Sequence, residues 1–288
     1  VVKPAFLRRI ELYDPSITGV DAPPVLSGRD APIEANNHVG LDSGFTIPSS
    51  AYERDVYLRL TTTTTLTADV AVMPAERATK SSFVRGGLVA LYIAFLLSFG
   101  LWGLMAWAIR RDVLFGFFAL RQIFSAAHIF VYFGSLRFFL SGFLSAQALD
   151  SIYVFVCCTV ASVIGLFDVR LISEFGGARR LKQAIYGTLC LPAITLPLAA
   201  MDHVQAALNV SALVINAQFI LIALLTFTAR GNRTKALGVL SLWFIRCGYV
   251  VMAAVIIVPL LMYLNILDSS VPVFKVVFSH AIVSRSEE

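Results

Sequence analysis

Charge is scarce in this sequence. Only 14% of its residues are Asp, Glu, Lys or Arg and 58% are apolar, against about 25% and about 45–50% in soluble domains, so a water-solvated domain cannot account for the whole chain. Cysteine is scarcer still. The four present, Cys157, Cys158, Cys190 and Cys247, all fall in apolar blocks, which excludes a disulfide scaffold for the polar part and, with no repeating Cys/His spacing, leaves no metal site to expect. A Gly-rich phosphate loop, a His-Glu-x-x-His helix and a Gly-x-Ser-x-Gly elbow are all missing, so the chain has no recognisable catalytic centre and calls for no cofactor. The chain opens Val1-Val2-Lys3, without Met or a basic-then-apolar leader. The expectation is therefore that a signal peptide and the first part of a domain precede it.

What the sequence has in abundance is long apolar runs. Gly86 to Arg111 reads GGLVALYIAFLLSFGLWGLMAWAIRR, uncharged until the closing arginine pair, and is long enough to cross a hydrocarbon core of about 30 Å. Further apolar blocks follow, so that the candidate spans fall at about 88–109, 113–134, 151–173, 183–201, 207–228, 236–262 and 272–284. The last, VPVFKVVFSHAIVSRSEE, is short and holds Lys275 and His280; it reads as a span curtailed at its cytoplasmic end.

The net charge of +5 conceals an asymmetry. Val1 to Phe83 carries eight Lys/Arg and ten Asp/Glu, and the remainder fifteen and eight. The basic excess therefore belongs to the membrane half, where short loops set topology, and no nucleic-acid partner is implied. Arg110 and Arg111, then Arg179, Arg180 and Lys182, then Arg230, Arg233 and Lys235, and finally Arg285 occupy alternate loops, while the others hold mostly Asp150, Asp202, His203 and Asp268, with Arg137 the basic exception. The positive-inside rule then places the N-terminus outside and the C-terminus in the cytoplasm.

Residues 1–83 have no helical period. Phe6, Ile10 and Leu12 share one parity in the Pro4–Tyr13 segment, and Val56, Leu58 and Leu60 alternate with Tyr57 and Arg59. Short strands are also expected around Pro24–Leu26, Phe45–Pro48 and Ala68–Val72, separated by turn residues. This pattern predicts an antiparallel sandwich, with too few strands for a complete jelly roll of eight. The domain division is thus 1–83, a partial extracytoplasmic β-sandwich, and 84–288, a seven-span helical domain.

The Ile10-Glu-Leu-Tyr13 strand with its Leu26-Ser27-Gly28 turn, the Val56-Tyr57-Leu58-Arg59-Leu60 strand, the Gly86-Gly87-Leu88 opening of the first span and the Phe167-Asp-Val-Arg170-Leu segment ending the third resemble the bacterial seven-transmembrane receptors with diverse intracellular signalling modules. That resemblance implies a jelly-roll-like sensor for a carbohydrate or other small ligand and a seven-helix transmitter. It also implies an inner-membrane location, a homodimer, and a diguanylate cyclase or histidine kinase output domain beyond this chain.

Ionisable groups inside a membrane need a partner or a task. Arg121 in the second span and Arg246 in the sixth lie roughly 14–15 Å from the cytoplasmic ends, and Asp168 in the third roughly 8 Å. One carboxylate could therefore meet one or both arginines. Such a cluster reads either as a polar lock that rearranges during signalling or as a static pair fixing helix register. His128, seven residues beyond Arg121, and His203 in an outer loop are candidates for pH or ligand sensing, the alternative being ordinary hydrogen-bonded histidines. Pro192 and Pro197 should bend the fourth span, and Pro259 the sixth. Tyr13, Phe45, Tyr52 and Tyr57 form either a stacking platform for a sugar or ordinary core and loop packing.

A transporter, or another stand-alone membrane protein, is the alternative to a receptor. Lys275 invites comparison with a retinal protein, but it sits near the outer end of its span and Asp168 near the inner surface, too far apart for a counter-ion. Transporters favour internal repeats and broken helices around a midplane site, and no such repeat is visible in the sequence.

Overall fold

A computed structural model describes residues 2–3, 9–14, 23–28, 43–50, 52–61, 69–140, 143–201, 203–229 and 242–251. The chain divides into two compact units, one of residues 1–97, 125–156 and 196–208, the other of residues 98–124, 157–195 and 209–288.

The first unit holds the strands β1 (Val2–Lys3), β2 (Arg9–Tyr13), β3 (Val25–Ser27), β4 (Tyr57–Thr61) and β5 (Asp69–Val70). β2 is central in an antiparallel sheet of order β3-β2-β4, and β1 pairs antiparallel with β5. Alternation sets the faces only in part, since Leu58 turns inward but Leu60, expected on the same face, is exposed. Ile10 is fully buried and packs with Val2, Phe45 and Leu58, while Tyr57 and Arg59 are exposed. Glu11, on the opposite parity, is also buried, because Arg9 Nε at 2.8 Å and the Tyr13 hydroxyl at 2.8 Å hold its carboxylate. The described residues thus form a small three-stranded sheet and a separate two-stranded pair. The strand expected at Phe45–Pro48 has no ladder pairing, and its Phe45 packs against the core instead. Phe6 lies outside the described residues.

Helix α1 runs from Ala75 to Arg110 over 36 residues, about 54 Å at 1.5 Å per residue. It starts well before the expected span, because Pro74 leads into it, Glu76 complements the positive end, and Ala78 N–H bonds the Pro74 carbonyl at 3.0 Å. The helix runs through residue 83, where the domain division was expected, and Gly86-Gly87-Leu88 lies inside it rather than at its start. The helix stops where Arg111 adopts a left-handed φ of 54°. Asp112 then starts α2 (Val113–Tyr132) by accepting the Leu114 N–H at 2.9 Å.

Next come the short α3 (Ser135–Leu140), absent from the sequence reading, and α4 (Ala146–Ser173), whose first turn is capped by the Ser145 hydroxyl accepting Ala148 N–H at 3.2 Å. After the Gly176 and Gly177 turn, with φ of 92° and 100°, the fourth apolar block is split into α5 (Arg179–Thr188) and α6 (Leu191–Ala200). Then follow α7 (Val204–Thr228) and α8 (Leu242–Val251).

Among the described residues five helical segments are long and apolar enough to cross a membrane, counting α5 and α6 as one, and by length and composition this is a membrane protein. Of the sixth expected span only α8 is described. The seventh lies outside the described residues, as do Pro259, Lys275 and His280. α4 differs from the rest: 61% of its apolar window is buried, against 11–33% elsewhere. It is the helix around which the second unit packs, with Val169 and Ile172 meeting Ile185 of α5, Ile222 and Leu225 of α7, and Leu242 of α8.

Candidate functional site

One face of α4 carries the polar and small residues Cys158, Ser162, Gly165 and Asp168 at spacings of four, three and three, the period that aligns side chains along a helix. At its Asp168 end, Arg121 of α2 donates to Asp168 Oδ1 at 3.1 Å. The acid side chain is fully buried and the arginine 32% exposed. The Arg121 guanidinium also lies over the Phe167 ring, 5.0 Å from its centroid, and Phe167 tilts against Phe118 at 5.9 Å. Aromatic cover of this kind lowers the exposure of a cation to lipid without removing its charge.

Tyr249 of α8 joins the pair, its phenol interacting with both the carboxylate and the guanidinium. Asp168 Oδ2 nevertheless closes no hydrogen bond among the described residues. Leu242, Ile245 and Tyr249 recur at helical spacing on the side of α8 that packs on the core, which explains how a phenol reaches this depth.

Arg246 does something else. Its Nε donates to the Thr226 carbonyl at 3.1 Å and one terminal nitrogen to the Ala229 carbonyl at 2.7 Å, both at the C-terminal end of α7, where the last carbonyls lack helical partners and the dipole favours a cation. Trp243 and Phe227 flank it, at 5.5 and 5.9 Å from the guanidinium carbon. The structure thus brings together Arg121 and Asp168 of the three residues singled out, and assigns Arg246 to capping.

Further along α4 the polar contacts continue. Cys158 Sγ lies 3.0 Å from Ser211 Oγ of α7 and accepts from Thr195 Oγ1 of α6 at 3.0 Å. Gln218 of α7, almost fully buried, donates to the Ala161 carbonyl at 2.8 Å and accepts from Thr188 Oγ1 of α5 at 3.2 Å. Sequence reasoning passed over Tyr249, Gln218, Thr188 and Ser162. The signal that could have found the last was the polar and small stripe within the apolar α4 segment, the usual mark of a packed membrane-helix interface.

In the first unit, His128 is half-buried and lies against Tyr132 at 5.6 Å. His203 is exposed, and its carbonyl accepts the Ala207 N–H at 3.0 Å to start α7. Tyr13 and Tyr57 are directly opposed on β2 and β4 and both are exposed. Tyr52 stands exposed apart from any strand, and Phe45 packs against the core. Comparison with known protein families, with curated proteins and with solved structures finds no match to this chain.

Proposed function

We propose that this chain is the sensor and transmitter part of a bacterial inner-membrane signalling receptor, with a jelly-roll-like sandwich outside, seven spans and a cytoplasmic C-terminus. In this reading the outer module takes a carbohydrate or other small ligand. A homodimer of seven-span domains relays occupancy to a diguanylate cyclase or histidine kinase output domain, where the catalysis resides. The observation that carries the reading is the buried Arg121–Asp168 pair, because an ion pair at membrane depth ties α2 to α4 at a cost in insertion that passive anchoring does not require. The unbroken α1 supports it. Its 36 residues exceed what a span needs by about 24 Å, so the strand module continues into the membrane through helix rather than a slack linker.

A transporter is the second reading, favoured by the interrupted fourth block, since broken helices recur where substrates cross membranes. Liposomes containing the chain, presented with a panel of mono- and disaccharides, separate the two. Transmission predicts a saturable change in tryptophan fluorescence without uptake of the sugar. Saturable accumulation of the same sugar inside the vesicles would overturn it.

A further inference from the structure

The interruption between α5 and α6 has an unusual hydrogen-bond arrangement. Pro192 has no N–H, so the Thr188 carbonyl loses the donor it would have in a continuous helix. The chain tightens there: Leu189 N–H bonds Tyr186 at 3.2 Å, Cys190 N–H bonds Gly187 at 3.4 Å, and Ala193 N–H bonds Cys190 at 3.0 Å. The last of these takes Ala193 N–H away from Leu189, its acceptor in a regular helix. The Leu189 carbonyl is satisfied instead from α4, by the Ser162 hydroxyl at 3.3 Å.

Both side chains that hold the interruption are already shared with a second acceptor. Ser162 Oγ also lies 3.2 Å from the Cys158 carbonyl on its own helix, and Thr188 Oγ1, which donates to Gln218 Oε1 at 3.2 Å, also lies 2.6 Å from the Ile185 carbonyl. If Ala193 N–H returned to the Leu189 carbonyl, neither hydroxyl would be left without an acceptor. Where closure also draws Thr188 off α7, Gln218 Oε1 loses its donor, while Gln218 Nε2 keeps the Ala161 carbonyl.

We propose that the fourth span is a two-state hinge at Leu189–Cys190, held open by Ser162 and Thr188 and closing to a continuous helix by exchange of the Leu189 carbonyl from Ser162 to Ala193. Interchange between two arrangements, in each of which the Leu189 carbonyl has a donor, is what makes an element bistable rather than merely bent. Gln218 sets the bias toward the open form, because its Oε1 is the acceptor that closure strands. The inference stands whether the chain transmits a signal or moves a substrate.

The test uses spin labels at Lys182 and Ile194 on a full chain with Cys190→Ser and Cys247→Ser, in lipid nanodiscs, read as a distance distribution by pulsed electron resonance. Ser162→Ala and Thr188→Val each remove one tie of the open form without harming the closed one, and Pro192→Ala restores the missing donor to the Thr188 carbonyl. Each variant is expected to move population toward the separation of a regular helix, about 18 Å between backbone positions twelve residues apart, with Pro192→Ala moving it furthest. One unchanged distribution in Ser162→Ala and Thr188→Val would overturn the hinge, whether or not Pro192→Ala folds.

Discussion

A methyl group at Gly165 of α4 would collide with the side-chain amide of Gln218 on α7. The amide occupies the volume that any other residue would fill, which is how Gln218 reaches the Ala161 carbonyl one turn away. Gly165→Ala is therefore expected to destabilise the protein by about 1–3 kcal/mol, seen as a lower melting temperature in detergent. Gly87→Ala is the control. Nothing lies within 4 Å of its added methyl, so the helical preference for Ala should leave stability unchanged or raise it by up to about 1 kcal/mol. Equal losses in the two variants would contradict the close approach of α4 and α7.

Arg246 stands on carbonyls at the end of α7 and not on Asp168. Arg246→Leu is expected to cost about 1–3 kcal/mol through charged hydrogen bonds lost from buried acceptors. Combined with Asp168→Asn the losses should add to within about 0.5 kcal/mol. A strong departure from additivity would mean that the two side chains meet after all.

Tyr249 faces the Arg121–Asp168 pair from α8. Tyr249→Phe removes the phenol oxygen and keeps the ring, so a loss of about 0.5–1.5 kcal/mol is expected in the native background. That loss should disappear when Asp168→Asn and Arg121→Leu are already present. A loss of the same size in both backgrounds would assign Tyr249 to packing alone.

The proposed orientation rests on the loop arginines. Reporter fusions after Arg111, Arg180 and Lys235 are expected to report cytoplasm, and fusions after Ala146 and His203 the outside. Reversal at any two of these sites would remove the seven-span arrangement.

The helices α1, α2, α4 and α7 were legible because unbroken apolar length needs no tertiary information. So was the inward parity of Ile10 and Leu58, which period-2 alternation encodes locally. The position of the α5–α6 interruption was only half legible. Pro192 announces a bend, but the stopping point at Leu189 depends on a hydroxyl from α4 that lies 27 residues away in sequence. The membrane acid and arginines were visible as costly residues, yet which arginine meets Asp168 is decided by helix rotation, and apolar spans with weak amphipathic character carry little record of rotation. Tyr249 was hidden for the same reason, since an aromatic inside an apolar block reads as lipid-facing or core until its neighbours are known.

The Arg121–Asp168 pair carries the account, and a double-mutant cycle in lipid nanodiscs tests it most directly. Asp168→Asn strands a guanidinium and Arg121→Leu strands a buried carboxylate, so each alone is expected to cost about 3–5 kcal/mol of folding stability. The double variant should then be no less stable than the poorer single variant. Losses that simply sum would mean that α2 and α4 are not tied at this point, and would contradict the transmission reading built on the pair.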